Sequence, residues 1–296
     1  MTRPLVYSAV PTAFHHDGAL DLASTSRAFE HALAGGVDAI FVNGTTGEFV
    51  AMSAQERRAA LSAAVRVAGP GRVIAHVGAS SPYECALLAR DAGELGVTRL
   101  SVLTPYFMPT GVDGVRRQVE SVIAAAPDAT VFLYVFPDRT GVTLPPHEVA
   151  ALVDELDIAG VKISVAGTDF ARDVVAQLTS PRTVLSGNDG LLPELLDVGV
   201  AGIVSGVSSA LPRPFATLAG ALDTGDPDTA HHAAESVRRI VPVLGPSIRA
   251  LKHSLLLQGV IDGDACRVAI APLDAASRSA VAEVSASPLP EPLTTL

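Results

Sequence analysis

The sequence predicts a (β/α)8 barrel, the TIM-barrel class of α/β fold, followed by a C-terminal helical extension. Three observations predict it: short apolar β-branched runs recur along the chain, each is followed by an Ala-rich helical segment, and no Pro/Gly/Ser-rich linker separates the units. Runs that are apolar throughout, rather than alternating, are typical of parallel strands buried on both faces. A doubly wound open sheet is the alternative, but no G-x-G-x-x-G motif follows the first run to support it.

The predicted strands are eight runs of similar character. They are LVYSAVPTAF (5–14), AIFVNG (39–44), RVIAHVG (72–78), RLSVLTP (99–105), TVFLYVF (130–136), IAGVKIS (158–164), TVLSGND (183–189) and GIVSG (202–206). Segments between them, such as 53–69 and 81–96, open on a serine and end near a glycine, which predicts capped helices.

After the eighth run the chain shows helical patterns only. The first of these completes the barrel, so that we predict a barrel over residues 1–224 and a helical extension over 225–296, both in one structural unit. His231 and His232 fall in one of these helices, where a solvated helix face is the interpretation rather than a metal site. The final segment, SPLPEPLTTL, is predicted to be a poorly ordered tail.

The composition excludes several classes of partner. A net charge of -10 and a pI near 5.2 argue against nucleic-acid binding and against anionic membranes, since both need a basic face. No apolar run approaches the roughly 18 residues of a membrane span, and the N-terminus lacks the apolar core of a signal peptide. Cys85 and Cys266 are too few for a disulfide framework or a cysteine metal site. We therefore expect a cytoplasmic protein without nucleic-acid or membrane partners.

One lysine stands in an apolar strand. Lys162, in DIAGVKISVAG (157–167), and Lys252 are the only lysines of the chain, and the other basic residues are arginines. Arginine stays protonated in proteins, whereas a desolvated lysine can lose its proton and attack a carbonyl. A Schiff base on Lys162 is therefore the first functional hypothesis. The alternative is a lysine that snorkels from the strand end to solvent.

The active site of such a barrel lies at the C-terminal ends of the strands, where this chain carries polar side chains. They are Thr45 and Thr46 in NGTTGEF, Tyr106 in TPYFMP, Tyr134 and Arg139 in YVFPDRTG, Asn188 and Asp189 in SGND, and Ser205 after the eighth strand. The threonine pair offers O–H and N–H donors suited to a carboxylate. A plain Gly-Thr turn, an aromatic lid at Tyr106 and a surface ion pair at Arg139 are the alternatives.

Four motifs then indicate a family: GTTGE (44–48), TPYF (104–107), YVFPDRTG (134–141) and GVKIS (160–164). In order and spacing they resemble the dihydrodipicolinate synthase and N-acetylneuraminate lyase family of class I aldolases, from about residue 5 to about residue 285. The resemblance implies a barrel with added C-terminal helices, a homotetramer built as a dimer of dimers, and no cofactor or metal. It also implies pyruvate or another 2-oxo acid as substrate, bound as an imine, with a small aldehyde as the partner substrate.

The resemblance also implies roles for individual residues. Lys162 is the Schiff-base nucleophile, and Tyr134 is the general acid/base. Thr45 and Thr46 bind the pyruvate carboxylate, and the hydroxyl of one of them, for which we take Thr46, hydrogen-bonds Tyr134 and completes the catalytic set. The backbone carbonyl of Val204 faces the pyruvate.

Two positions bear on the second substrate. Arg139 matches the arginine with which synthases of the family bind the carboxylate of the aldehyde, and Tyr106 is expected to contact substrate from the mouth of the barrel. Phe107 stands where most members carry a tyrosine that reaches across the tight dimer interface to the proton relay. The aldehyde is therefore expected to carry an acid group and to differ from aspartate semialdehyde.

The leading hypothesis is a pyruvate-dependent lyase or synthase that forms or cleaves an aldol. A 2-oxo-3-deoxy sugar acid aldolase or dehydratase is the alternative within the family. A metal-dependent barrel aldolase or hydrolase needs several His, Asp or Glu at strand ends, where only His76 and Asp189 qualify. A non-catalytic relative that binds a 2-oxo acid is the third class, and the missing hydroxyl at Phe107 favours it.

Overall fold

Eight parallel strands close into a barrel in chain order. The computed structural model describes residues 3–245 and 247–286, so the predicted tail at 287–296 lies outside the described residues. The strands are β1 Leu5–Ala9, β2 Ala39–Val42, β3 Val73–His76, β4 Arg99–Leu103, β5 Thr130–Val135, β6 Gly160–Ile163, β7 Thr183–Ser186 and β8 Gly202–Ser205. Each lies within one of the predicted runs, which confirms the (β/α)8 barrel.

At least one helix follows every strand. The helices of the barrel are α1 Leu22–Ala34, α2 Ala54–Ala68, α3 Pro82–Glu94, α4 Val112–Ala125, α5 Pro137–Thr140, α6 Pro146–Glu155, α7 Asp169–Gln177, α8 Leu192–Asp197 and α9 Pro212–Thr224. The predicted serine caps are confirmed: Ser53 forms a capping box with Glu56, and Ser81 accepts a hydrogen bond from the N–H of Glu84. These side chains satisfy backbone N–H groups that the first helical turn leaves free.

Alternate strand residues divide between two apolar clusters. Val6 and Val161 belong to the cluster between strands and helices, whereas Phe41, Tyr134 and Val204 belong to the cluster inside the barrel. This division follows from the two-residue period of a strand, which sends successive side chains to opposite faces. The side chains that face inward near the strand ends therefore meet over the barrel axis.

Three more helices follow α9: α10 Pro227–Leu244, α11 Ile248–Leu257 and α12 Ala275–Ala286. Asp226 and Ser247 cap α10 and α11 by accepting from the N–H groups of Thr229 and Ala250. The helical extension predicted from the sequence is therefore present over the described residues. We keep its separation from the barrel after residue 224 as a prediction.

Three further findings concern partners and chemistry. Within residues 3–245 and 247–286, no helix is long and apolar enough to cross a membrane. Cys85 is a buried free thiol, and Cys266 is a partly buried one. In the same ranges, no three His, Cys, Asp or Glu side chains come together in a group that could hold a metal ion.

Candidate active site

Lys162 points into the barrel from the end of β6. Only 6% of its surface is exposed. Its Nζ lies 4.0 Å from the ring centre of Tyr134 and 4.7 Å from that of Phe41. Among the described residues, no carboxylate or hydrogen-bond acceptor pairs with this nitrogen. The snorkelling interpretation requires an amine in solvent, and the structure instead places the amine between aromatic faces.

Tyr134 is the strand neighbour of Lys162, since the two residues are in register between β5 and β6. Its ring is buried and lies edge-on to the rings of Phe41 and His76, with 6.3 Å and 6.0 Å between the ring centres. Its hydroxyl lies 3.5 Å from Thr45 Oγ1, at the outer limit of a hydrogen bond. A phenolic hydroxyl and a threonine hydroxyl therefore meet beside the lysine.

Residues 43–49, which we call the threonine turn, connect β2 to α2 in a constrained conformation. Asn43 and Glu48 have left-handed φ angles of 59° and 58°, which is uncommon outside glycine. A Cβ on Gly44 would come within 2.7 Å of the Phe41 ring, so glycine is required there. The N–H of Glu48 donates to the carbonyl of Thr45 across the turn at 3.0 Å. The turn is thus folded tightly against the barrel interior.

The two threonines of this turn face different neighbours. Thr45 approaches the Tyr134 hydroxyl, whereas a Cβ on Gly206, just after β8, would lie 3.3 Å from Thr46 Oγ1. The sequence predicts that Thr46 hydrogen-bonds Tyr134, whereas in the structure the hydroxyl within reach of Tyr134 is that of Thr45. The catalytic and binding roles of the two threonines stay predictions.

The ends of β7 and β8 carry a buried carboxyl. Asp189 accepts hydrogen bonds from Ser205 Oγ at 2.7 Å and from the N–H of Val207 at 3.3 Å. Burial raises the pKa of Asp189 to about 6, and the nearby charge of Lys162 opposes this rise. Val204 is buried in the interior wall at this end of β8, and the role of its carbonyl stays a prediction.

Arg139 lies in the short helix α5 at the mouth of the barrel and is exposed. Its guanidinium carbon is 5.9 Å from the Phe136 ring centre, and that ring stacks on Tyr134 at 5.9 Å. Arg139 has no ion pair within the part of the chain that the structure describes. The surface ion pair that the sequence left open is therefore absent there, and the cation stands free near the site.

The two aromatic residues of the loop after β4, Tyr106 and Phe107, differ in how exposed they are. Tyr106 is half-buried, with its ring 5.8 Å from that of Phe49, and burial raises the pKa of its hydroxyl. Phe107 is 88% exposed with a φ of 77°, and the adjacent Met108 is 69% exposed. Tyr106 therefore packs against Phe49 of the threonine turn, and the Phe107 side chain is exposed.

Sequence reasoning missed Arg57, which is buried beneath the site. Its guanidinium donates to the carbonyls of His76 at 2.7 Å and Gly78 at 3.0 Å, and lies 5.2 Å from the Phe49 ring centre. Burial lowers the pKa of Arg57 to about 10. One signal was available, since Arg57 stands at an apolar position of the α2 pattern.

His76, a candidate metal ligand by sequence, lies in surroundings that do not suit one. Its Nδ1 donates to the carbonyl of Asn43 at 2.8 Å, and its Nε2 has no hydrogen-bond partner in the described chain. Burial, aided by the charge of Arg57, holds the pKa of His76 well below its usual range. His76 is therefore a neutral ring that packs against Tyr134 and supports the threonine turn.

The residue types at this site suit one kind of chemistry. An amine without a counter-ion can attack a carbonyl, an adjacent phenol can transfer protons, and threonine hydroxyls can bind a carboxylate. Lys162, Tyr134 and Thr45 are brought together by direct contacts, and Arg139 is connected to them through the stack of Phe136 on Tyr134.

Comparison with known proteins agrees with this geometry. The model of the Dihydrodipicolinate synthetase family matches residues 4–286. An uncharacterised DapA-like lyase of Halobacterium salinarum is 34% identical over 283 residues, which cover 93% of this chain and 91% of that protein. A 4-hydroxy-tetrahydrodipicolinate synthase of Xanthomonas campestris pv. campestris is 32% identical over 283 residues, covering 95% and 93%.

A solved structure supports the same assignment. The dihydrodipicolinate synthase of Bacillus anthracis superimposes with a TM-score of 0.88 at 25% identity, covering 97% of this chain and 99% of that one. These three proteins are named as a synthase, a DapA-like lyase and a synthase. With the family model matching nearly the whole chain, this protein belongs to the dihydrodipicolinate synthetase family, a family of lyases built on the (β/α)8 barrel.

Proposed function

We propose that this protein is a pyruvate-dependent lyase or synthase in which Lys162 forms a Schiff base with pyruvate or another 2-oxo acid. The Lys162 amine attacks the C2 carbonyl, the N–C2 bond forms, and the carbonyl oxygen leaves as water. The imine then withdraws electrons from C2, so that a proton on C3 can be removed and the resulting enamine can attack an aldehyde. Cleavage is the same sequence in reverse.

The observation that carries this proposal is the unpaired amine of Lys162. Its burial at 6% exposure, with Nζ 4.0 Å from the ring centre of Tyr134 and no carboxylate partner among the described residues, favours a nucleophile over a structural cation. Tyr134 transfers the proton, with Thr45 as its hydroxyl partner, and Thr46 contributes to binding the carboxylate of the 2-oxo acid. No cofactor is required for these steps.

The second substrate is an aldehyde that carries an acid group. Arg139 supports this because its exposed guanidinium lacks an ion pair in the described chain and lies at the mouth of the barrel. Phe107 supports a partner other than aspartate semialdehyde, since it lacks the hydroxyl with which most members complete the relay. The second candidate is a cleavage substrate of the 2-oxo-3-deoxy sugar acid class. Phe107 favours this candidate too, because a pocket built around phenylalanine suits a partner other than aspartate semialdehyde.

The working form is an oligomer, which we expect to be a homotetramer in the cytoplasm. Phe107 and Met108 are 88% and 69% exposed, which is unfavourable for apolar side chains in water. A second copy of the chain would cover them. Sedimentation at micromolar concentration should give a dimer or tetramer, and a monomer would contradict this part of the proposal.

A panel of aldehydes tests the function. Pyruvate is assayed with aspartate semialdehyde, other acid-bearing aldehydes and neutral aldehydes of the same length, and 2-oxo-3-deoxy sugar acids are assayed for cleavage. Arg139→Ala is the matched variant: it should raise KM about tenfold for acid-bearing aldehydes and leave KM for neutral ones unchanged, as expected for one lost charged contact.

The outcomes separate the hypotheses. Turnover with an acid-bearing aldehyde supports the synthase, and turnover only in cleavage of sugar acids supports the alternative. Imine formation with pyruvate but no turnover on the whole panel would support the non-catalytic relative. If Arg139→Ala prevents imine formation itself, then Arg139 has been assigned to the wrong substrate.

A further inference from the structure

The second lysine of the chain is used in a different way from the first. Lys252 of α11 and Glu48 of the threonine turn form an ion pair, and both side chains are completely buried. Desolvation offsets much of the attraction in such a pair, so that a well-packed apolar pair is often as stable. A contribution to stability alone therefore does not explain its presence beside the candidate active site.

The ammonium group of Lys252 is fully occupied. It donates to Glu48 Oε1 and to the carbonyl of Ala265 at 2.7 Å, and it lies 4.6 Å from the ring centre of Phe14. These three contacts come from the threonine turn, from the segment after α11 and from the loop after β1. Lys252 therefore joins three parts of the chain at the catalytic face of the barrel.

The other carboxylate oxygen of Glu48 extends the connection. Glu48 Oε2 accepts hydrogen bonds from the backbone N–H groups of Arg267 at 2.8 Å and Val268 at 2.9 Å. The Arg267 guanidinium in turn donates to the carbonyls of Gly18 at 2.6 Å and Ala51 at 3.0 Å. The segment after α11 is thus bound to Glu48 of the threonine turn, to Ala51 just after it and to the loop after β1.

The Glu48–Lys252 ion pair holds a stretch of backbone whose conformation is unfavourable by itself. Glu48 has a left-handed φ of 58°, a conformation that persists in a residue with a side chain only when its surroundings impose it. The N–H of Glu48 donates to the carbonyl of Thr45 at 3.0 Å, which links the position of Thr45 to that of Glu48. Thr46 and Leu251 of α11 flank Gly206 from two sides, at 3.3 and 3.4 Å from the position of a Cβ on that glycine.

We propose that Glu48 and Lys252 are positioning residues, which hold the hydroxyls of Thr45 and Thr46 in place by anchoring the threonine turn to the C-terminal helices. The identity of the bound group, the carboxylate of a 2-oxo acid, rests on the proposed function. The anchoring itself does not, since it concerns the order of the turn in the free protein. The C-terminal extension is then a working part of the substrate site.

Two variants test this. The double variant Glu48→Gln/Lys252→Met removes both charges and keeps the side-chain lengths, so that it should fold even if Lys252→Met alone does not. Leu255→Ala is the matched control, because Leu255 is a fully buried residue of the same helix whose apolar side chain forms no hydrogen bond with Glu48 or Lys252. It loosens α11 by a cavity and leaves Glu48 and Lys252 unchanged.

Two measurements separate the anchoring from the proposed function. In hydrogen exchange of the free protein, the amides of residues 44–49 should exchange at least about tenfold faster in the double variant than in the parent, because the turn opens locally. In reductive trapping with pyruvate and borohydride, the pyruvate concentration for half-maximal trapping should rise at least about fivefold, since a displaced carboxylate site weakens binding. Leu255→Ala should show neither change.

Exchange and trapping at parent levels in a folded double variant would overturn the proposal, because the ion pair would then contribute to stability only. Equal changes in Leu255→Ala would overturn it as well, since any loosening of α11 would have the same effect. If the parent protein does not trap pyruvate at all, the proposed function fails, while faster exchange confined to residues 44–49 in the double variant still supports the anchoring.

Discussion

The two lysines of this protein are both buried, Lys162 in a barrel strand and Lys252 in the C-terminal extension, and they have opposite surroundings. Lys252 pairs with the Glu48 carboxylate and the Ala265 carbonyl and lies over the ring of Phe14. Lys162 lies over the rings of Tyr134 and Phe41 and has no carboxylate or acceptor among the described residues. The amine of Lys252 has its hydrogen-bond partners within the protein, whereas the amine of Lys162 has none among the described residues.

This difference separates a structural lysine from a reactive one more clearly than burial does. Burying an amine is unfavourable unless it is paired, and a chain retains such a cost mainly where function requires it. The unpaired Lys162 stands at a strand end beside a phenol, as the proposed Schiff base requires. In the proposed anchoring, the paired Lys252 holds the turn that carries Thr45 and Thr46.

Removing each amine in turn tests most directly whether the two lysines differ in their contribution to stability. Lys252→Met should lower the free energy of unfolding by about 3–5 kcal/mol, because the Glu48 carboxylate is left buried without its counter-ion. Lys162→Met should change it by less than about 1 kcal/mol or raise it, since no partner is left behind. Urea denaturation of both variants measures this, and equal losses would mean that Lys162 is also structural.

A variant of Tyr134 tests whether the hydroxyl beside the unpaired amine of Lys162 takes part in turnover. Tyr134→Phe removes a hydroxyl 3.5 Å from Thr45 Oγ1 and keeps the ring beneath Lys162. Turnover should fall roughly 10²–10³-fold, the range for a lost acid/base group, while imine formation persists more slowly. Steady-state kinetics and borohydride trapping of the variant measure the two effects. Unchanged turnover would remove Tyr134 from the mechanism.

Asp189 tests the electrostatic surroundings of Lys162. Its pKa is raised to about 6 in the folded protein from 3.8, so the folded state binds this proton more tightly and the contribution of Asp189 to stability falls as pH rises from about 4 to about 6. Asp189→Asn keeps an acceptor for Ser205 and removes the charge. The unfolding free energy of the variant relative to the parent should therefore increase by up to about 3 kcal/mol between pH 4 and pH 7. Denaturant titrations at both pH values measure this. If the difference in unfolding free energy between variant and parent does not change with pH, then burial does not raise the pKa of Asp189.

The sequence was sufficient for features that depend on local pattern. Strands buried on both faces leave continuous apolar runs, so the eight strands could be read directly, and Ser53 and Ser81 marked helix starts through their capping chemistry. The barrel then placed Lys162 and Tyr134 at neighbouring strand ends, where the register pairs them.

Features that depend on distant contacts could not be read in this way. Glu48 and Lys252 are 204 positions apart, and no local pattern in either segment indicates the other as its partner. Which threonine faces Tyr134 depends on the left-handed φ angles of Asn43 and Glu48, and neither residue type requires them. Both features arise from contacts between residues that are distant in the sequence.

The measurement that tests this account most directly is the distribution of a trapped adduct between the two lysines. The parent protein is incubated with pyruvate and borohydride, digested, and analysed by mass spectrometry, with Lys162→Arg as the control, since arginine cannot form the imine. We expect a three-carbon adduct on the peptide that contains Lys162, none on the peptide that contains Lys252, and none in the variant. An adduct on Lys252, or no adduct on either lysine, would contradict the assignment of Lys162 as the reactive amine.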